Sequence, residues 1–141
     1  MRRALFLFVV FICYVHSISA QVVSMESYAK RVYKDNKTLI DYKDFQTTSI
    51  LNYSKTQRKW EIYTDGKKYT YTIKSTQKGE KGVGGKSKTF VCTGENGAKY
   101  TIDFVYMSDI TGDELFLLEI KSPWKKVIYY IDGNEYWKNY K

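Results

Sequence analysis

From Ser49 onward, apolar and polar residues alternate with a period of two, and turn residues interrupt the alternation at short intervals. A period of two sends successive side chains to opposite faces of a strand. The pattern predicts strands over 49–54, 58–64, 69–75, 88–93, 98–107, 115–121, 126–131 and 134–140. Asp65-Gly66 and Asp132-Gly133 are hairpin signals, because both central positions of the tight turn need positive φ. The glycine-rich stretch 78–86 reads as a basic surface loop, and Pro123 sits where a turn needs one. Short links join strands that are neighbours in sequence, which gives an antiparallel meander. Eight strands in a meander leave two exposed edges unless the sheet closes. A closed eight-stranded barrel removes the edges and encloses room for one small ligand.

The N-terminal part reads differently. Met1-Arg2-Arg3 is basic, Ala4 to Val15 is apolar, and Ser17-Ile18-Ser19-Ala20 is small. The apolar run is shorter than the roughly 20 residues a bilayer span needs. This layout predicts a signal peptide over 1–20, a single domain over 21–141 and a secreted, extracellular protein without stable membrane insertion. Ser24 to Asp35 then predicts one helix, with Ser24 as N-cap, Glu26 in the first turn, and Met25, Tyr28, Val32 and Tyr33 as its apolar stripe. The expected fold class is all-β, with this helix laid over one end of the barrel.

Cleavage after Ala20 removes Arg2, Arg3, His16 and Cys13, and takes the formal charge from +8 to +6. Without a histidine, the remaining chain has no Ser-His-Asp triad, Cys-His dyad or His-ligated metal site. No metal site, cofactor or catalytic residue is expected. The acid pairs Asp109 with Asp113 and Glu114 with Glu119 could in principle do acid–base work, but carboxylate catalysis needs a pair held at fixed separation in a cleft, and the first pair lies in a turn and reads as ordinary loop chemistry. The lysines are interleaved with Tyr, Thr and Glu, and no nucleic-acid motif is visible. Cys92, on a strand face with Phe90, is expected to be a buried thiol in a monomer; the alternative is a disulfide-linked dimer. Asn36 and Asn52 fit the N-glycosylation pattern.

The inward set is rich in aromatics. An outward Asn52 sends Leu51 and Tyr53 inward; Trp60 pairs with Ile62, Tyr71 with Tyr69 and Ile73, and Phe104 with Tyr100, Ile102 and Tyr106. Buried tyrosine hydroxyls need partners, which a wet cavity supplies more readily than a dry core. The candidate ligand-binding residues are Tyr53, Trp60, Tyr71, Phe104, Tyr106 and Tyr129. Glu119 joins them if Leu115, Leu117 and Glu119 face inward, where its carboxylate would meet an amine. If Phe116, Leu118 and Ile120 face inward instead, a neutral or fatty ligand is favoured. The expected partner is therefore a small molecule, either a biogenic amine or a lipid.

Two resemblances accompany this reading. The segments Tyr69 to Ser75, Val83 to Cys92 and Val127 to Asp132 resemble the lipocalins of blood-feeding ticks. Cys92 lacks the second cysteine usual there, and no Gly-x-Trp marks the first strand. The resemblance implies a lipocalin-like barrel that sequesters amines or lipids. Tyr69 to Tyr106 also resembles the chitin-binding consensus of arthropod cuticle proteins, without its Ala-Asp-Glu-x-Gly-Phe ending. That likeness implies an open half-barrel whose aromatic face stacks on sugar rings.

Overall fold

The computed structural model describes residues 22–35, 37–79, 85–108 and 111–133, and the backbone alone over 42–48. These residues form eight strands: β1 Val22–Lys34, β2 Thr38–Ser54, β3 Lys59–Thr64, β4 Lys67–Gly79, β5 Lys86–Gly94, β6 Lys99–Ser108, β7 Glu114–Lys121 and β8 Lys125–Ile131. Each pairs antiparallel with its neighbour in sequence, and β1 pairs with β8, so the meander closes into a barrel. The signal-peptide segment, Asn36, Trp137 and the expected strand 134–140 lie outside the described residues.

The expected N-terminal helix is corrected: Ser24 to Lys34 belongs to β1. The physical reason lies in one irregularity. Val23, Met25 and Ser27 share the inner face with their partners Tyr53, Leu51 and Ser49, as strict alternation requires. A register shift between Ser27 and Ala29 then moves the phase, so that Lys30 and Val32 face inward beside Tyr129 and Val127. Such a bulge adds one residue to a period of two, and the resulting spacing mimics a helical stripe. The same correction extends β2 back to Thr38, well ahead of the strand expected from Ser49. Closure depends on it, since β1 is the strand that covers the free edges of both β2 and β8.

The β3–β4 hairpin follows its turn. Asp65 and Gly66 have φ of 51° and 73°, and the register sets Trp60 opposite Tyr71 and Ile62 opposite Tyr69. Inside the barrel, Met25, Leu51, Trp60, Ile62, Ile73, Phe90, Cys92, Ile102, Phe104, Leu118 and others pack as one buried cluster. A second, smaller cluster of Val105, Leu117 and Ile128 lies on the opposite face of β6, β7 and β8. Strands buried on both faces read as continuous apolar runs, and β7 (Leu115-Phe-Leu-Leu-Glu-Ile120) has that look.

Candidate functional site

The barrel has two ends with different chemistry. The turns β1–β2, β3–β4, β5–β6 and β7–β8 lie at one end, called here the Asp65 end. The connections β2–β3, β4–β5 and β6–β7 lie at the other, the Lys88 end.

At the Asp65 end, inward polar groups find each other. Lys30 Nζ donates to Asp65 Oδ2 at 2.5 Å and to Thr64 Oγ1 at 3.3 Å. Ser49 Oγ donates to Thr64 Oγ1 at 2.9 Å, and the Tyr129 phenol shares a hydrogen bond with Thr64. Tyr71 and Tyr100 meet edge to face at 5.0 Å between centroids. Burial pushes the Tyr71 and Tyr129 phenols well above the usual tyrosine range, and neighbouring tyrosines add to the shift. These phenols stay protonated at any physiological pH.

Toward the Lys88 end the interior is aromatic. Trp60 is 1% exposed. Its ring lies 5.0 Å from Tyr53, 5.6 Å from Phe90 and 6.3 Å from Phe104, measured between centroids. Tyr53 and Phe90 are 5.4 Å apart, which completes a cluster of four rings. Tyr106 stacks on Phe116 at 5.1 Å and donates its hydroxyl to Glu114 Oε1 at 2.9 Å. The Trp60 indole N–H is buried and has no hydrogen-bond partner among the described residues. A donor left in that condition costs about 1–3 kcal/mol, and buried polar groups nearly always have a partner.

One lysine, Lys88, stands beside this cluster, with two more near it. Lys88 is opposite Phe104 on β6 and opposite Lys78 on β4, and residues directly opposite in a ladder share a face. Phe104 belongs to the inner cluster, so Lys88 and Lys78 face the interior too. Lys55, in the β2–β3 turn, is close enough to repel Lys88. Burial, then the Lys78 and Lys55 charges, lowers the Lys88 pKa below the usual lysine range.

Six of the seven residues singled out from sequence, Tyr53, Trp60, Tyr71, Phe104, Tyr106 and Tyr129, thus belong to the inner cluster or pack against it. They divide between the two ends. Glu119 stands on the outer face, in register with Asp103 and Ile128, and is paired with Lys121 at 2.7 Å. The second orientation of β7 therefore holds, with Phe116, Leu118 and Ile120 inward. Glu119 is nonetheless only 7% exposed, in register with Ile128 of the small outer cluster. Asn52 lies on the outer face opposite Glu61, with Leu51 and Tyr53 inward as expected. Cys92 is a free thiol in the inner cluster, pushed by burial up to about 12.

Sequence reasoning passed over Phe90, Lys88, Lys78 and Lys30. Phe90 was within reach, since it alternates with Cys92. The inward lysines carry no signal, because a charge on a strand reads as outward by default. Among the described residues, no group of three or more His, Cys, Asp or Glu could hold a metal ion. Comparison with protein-family models, with curated proteins and with solved structures gives no match, so function is argued from the barrel itself.

Proposed function

We propose that this chain is a secreted, non-enzymatic binding protein that holds one small amphipathic molecule in its barrel, among the rings toward the Lys88 end. The observation that carries the reading is the Trp60 indole N–H, buried among three other rings without an acceptor. A ligand that brings an acceptor and apolar surface answers both features at once. The rings of Tyr53, Phe90 and Phe104 supply the apolar contact, and Trp60 supplies the directional one.

Amine binding is the weaker branch of this proposal. A cationic headgroup calls for an inward carboxylate, since aromatic faces alone give about 0.5–2 kcal/mol. Glu119 faces outward, and Asp65 is already engaged by Lys30. The cuticle-type reading loses its geometric basis, because the meander is closed and Trp60, Phe90 and Phe104 are inside it. Secretion and glycosylation at Asn36 and Asn52 remain part of the proposal on the sequence alone.

Native mass spectrometry of protein purified from cells expressing the full chain tests the reading. The expected result is a retained mass that denaturation releases, together with saturable quenching of Trp60 fluorescence by added amphiphiles in a Trp124→Phe, Trp137→Phe background. No retained mass and no saturable change across amines, fatty acids and sterols would remove it.

A further inference from the structure

Trp60 is not the only donor of its cluster without a partner. Tyr53 stands directly opposite it on β2, and residues opposite in a ladder share a face. Their rings lie side by side, 5.0 Å between centroids and inclined by 31°. The inward phenols of Tyr106 and Tyr129 hydrogen-bond with Glu114 and Thr64. The Tyr53 phenol has no hydrogen-bond partner among the described residues, and burial alone raises its pKa. Phe90 lies against both rings and brings no acceptor. Two donors on neighbouring strands thus belong to one aromatic cluster.

The polar group that suits this pair follows from donor and acceptor counts. An indole N–H only donates, and a phenol has one hydrogen to give. A carbonyl oxygen has two lone pairs and no hydrogen, so it takes both donors and adds none. An alcohol oxygen can also accept from both, yet it brings a hydrogen of its own that the cluster then leaves unmet, at a cost. An ammonium brings donors only. A carboxylate must leave water as an ion, which costs far more than moving a neutral group among rings.

On the carrier reading above, we infer that the ligand is a neutral carbonyl compound with an apolar chain, a ketone or an ester, whose oxygen accepts from the Trp60 indole and the Tyr53 phenol and whose chain lies against Phe90 and Phe104. Recognition then rests on two neutral donors set in apolar walls, a few placed polar groups in a mostly apolar site. Tryptophan and tyrosine suit this role, because each joins a large apolar body to one polar tip.

A matched pair of ligands tests the inference. Methyl nonyl ketone and the alcohol made by its reduction differ only at one carbon. Each is titrated into the full chain carrying Trp124→Phe and Trp137→Phe, with Trp60 fluorescence as readout. The bound ketone, isotope-labelled at its carbonyl carbon, is also read by infrared difference spectroscopy. The ketone is expected to bind about 10-fold more tightly than the alcohol, the ratio one unmet donor supplies. Its carbonyl stretch is expected to lie below its position in hexane, since accepted hydrogen bonds weaken the C=O bond. Tyr53→Phe is expected to raise that stretch and to weaken ketone binding about 3- to 10-fold, the loss of one neutral hydrogen bond. The stretch in the protein with Tyr53 intact decides the matter should Tyr53→Phe not fold. A stretch as in hexane, a stretch that Tyr53→Phe leaves in place, or equal or tighter binding of the alcohol overturns the carbonyl assignment and leaves the carrier reading standing. Binding of neither compound, with no retained mass in native spectrometry, overturns both.

Discussion

At the Asp65 end, the inward lysine meets an acid and three hydroxyls lie within its network. At the Lys88 end, the inward lysine has another lysine as its ladder partner, and the nearest buried donor has no acceptor. The contrast teaches how to separate a structural polar network from a binding one inside a single barrel. Matched groups at the Asp65 end hold strands β1, β2, β3 and β8 together from within. At the Lys88 end, an orphan donor opposes folding. A buried donor left without an acceptor points to a partner from outside the chain.

The largest effect separates the volume of Trp60 from its N–H. Trp60→Ala is expected to destabilise the barrel by about 3–5 kcal/mol, since it opens a hole where Tyr53, Phe90 and Phe104 converge. Trp60→Phe keeps most of the ring and deletes the orphan donor. It is expected to be far milder in urea unfolding, yet to weaken ligand binding. If the phenylalanine variant loses as much stability as the alanine one, the indole N–H has a structural partner and the contrast between the ends disappears.

Alkaline titration probes chiefly the other end. Tyr71 and Tyr129 there, and Cys92 deeper in the barrel, all have folded pKa values raised by burial. For an acid of this kind the folded state holds its proton more tightly than the unfolded chain. Its contribution is complete below the unfolded pKa and is lost as pH rises toward the folded one. Stability is therefore expected to fall above about pH 9 for Cys92, and above about pH 10 for the two tyrosines, at roughly 1.4 kcal/mol per pH unit for each group. Denaturant midpoints across that range measure it. A flat profile up to pH 11 would show these phenols to be solvated.

Asp65→Asn is expected to cost about 1–3 kcal/mol. It leaves the nearly buried Lys30 ammonium without its counter-charge, and the full penalty for breaking a buried pair is discounted because Asp65 is partly exposed. Asparagine tolerates the positive φ at this turn position, so backbone strain does not confuse the result. Ligand affinity should not change, and a matching loss of affinity would mean that the two ends are one site. The smallest effect is expected at the Lys88 end: Lys55→Gln or Lys78→Gln should alter stability by no more than about 0.5 kcal/mol. A large loss from either would place these lysines among the groups that hold the barrel together.

Much of this contrast was legible before the structure, and the rest was hidden for identifiable reasons. Strict alternation in β3, β4 and β6, together with Asp65-Gly66, gave the meander, its register and the inward aromatics Trp60, Tyr71 and Phe104. The bulge at Ser27 to Ala29 gave β1 the spacing of a helix, so the strand that closes the barrel went unseen. On β7 both faces are apolar, and pattern alone could not choose between Leu117 with Glu119 and Leu118 with Ile120. The inward lysines were invisible because their orientation follows from register: Lys88 is inward only because Phe104 opposite it is inward.

The central claim, that Trp60 is a donor waiting for a ligand acceptor toward the Lys88 end, is tested most directly by the indole N–H resonances in a proton–nitrogen correlation spectrum during titration with methyl nonyl ketone. Trp60 is assigned by its disappearance in Trp60→Phe. Trp124, 65% exposed in the β7–β8 turn at the opposite end, serves as the internal control. The account predicts that the Trp60 signal moves downfield and saturates, as a free N–H becomes hydrogen-bonded, while Trp124 stays in place. A stationary Trp60 signal at saturating ketone, or movement of Trp124 alone, would contradict it.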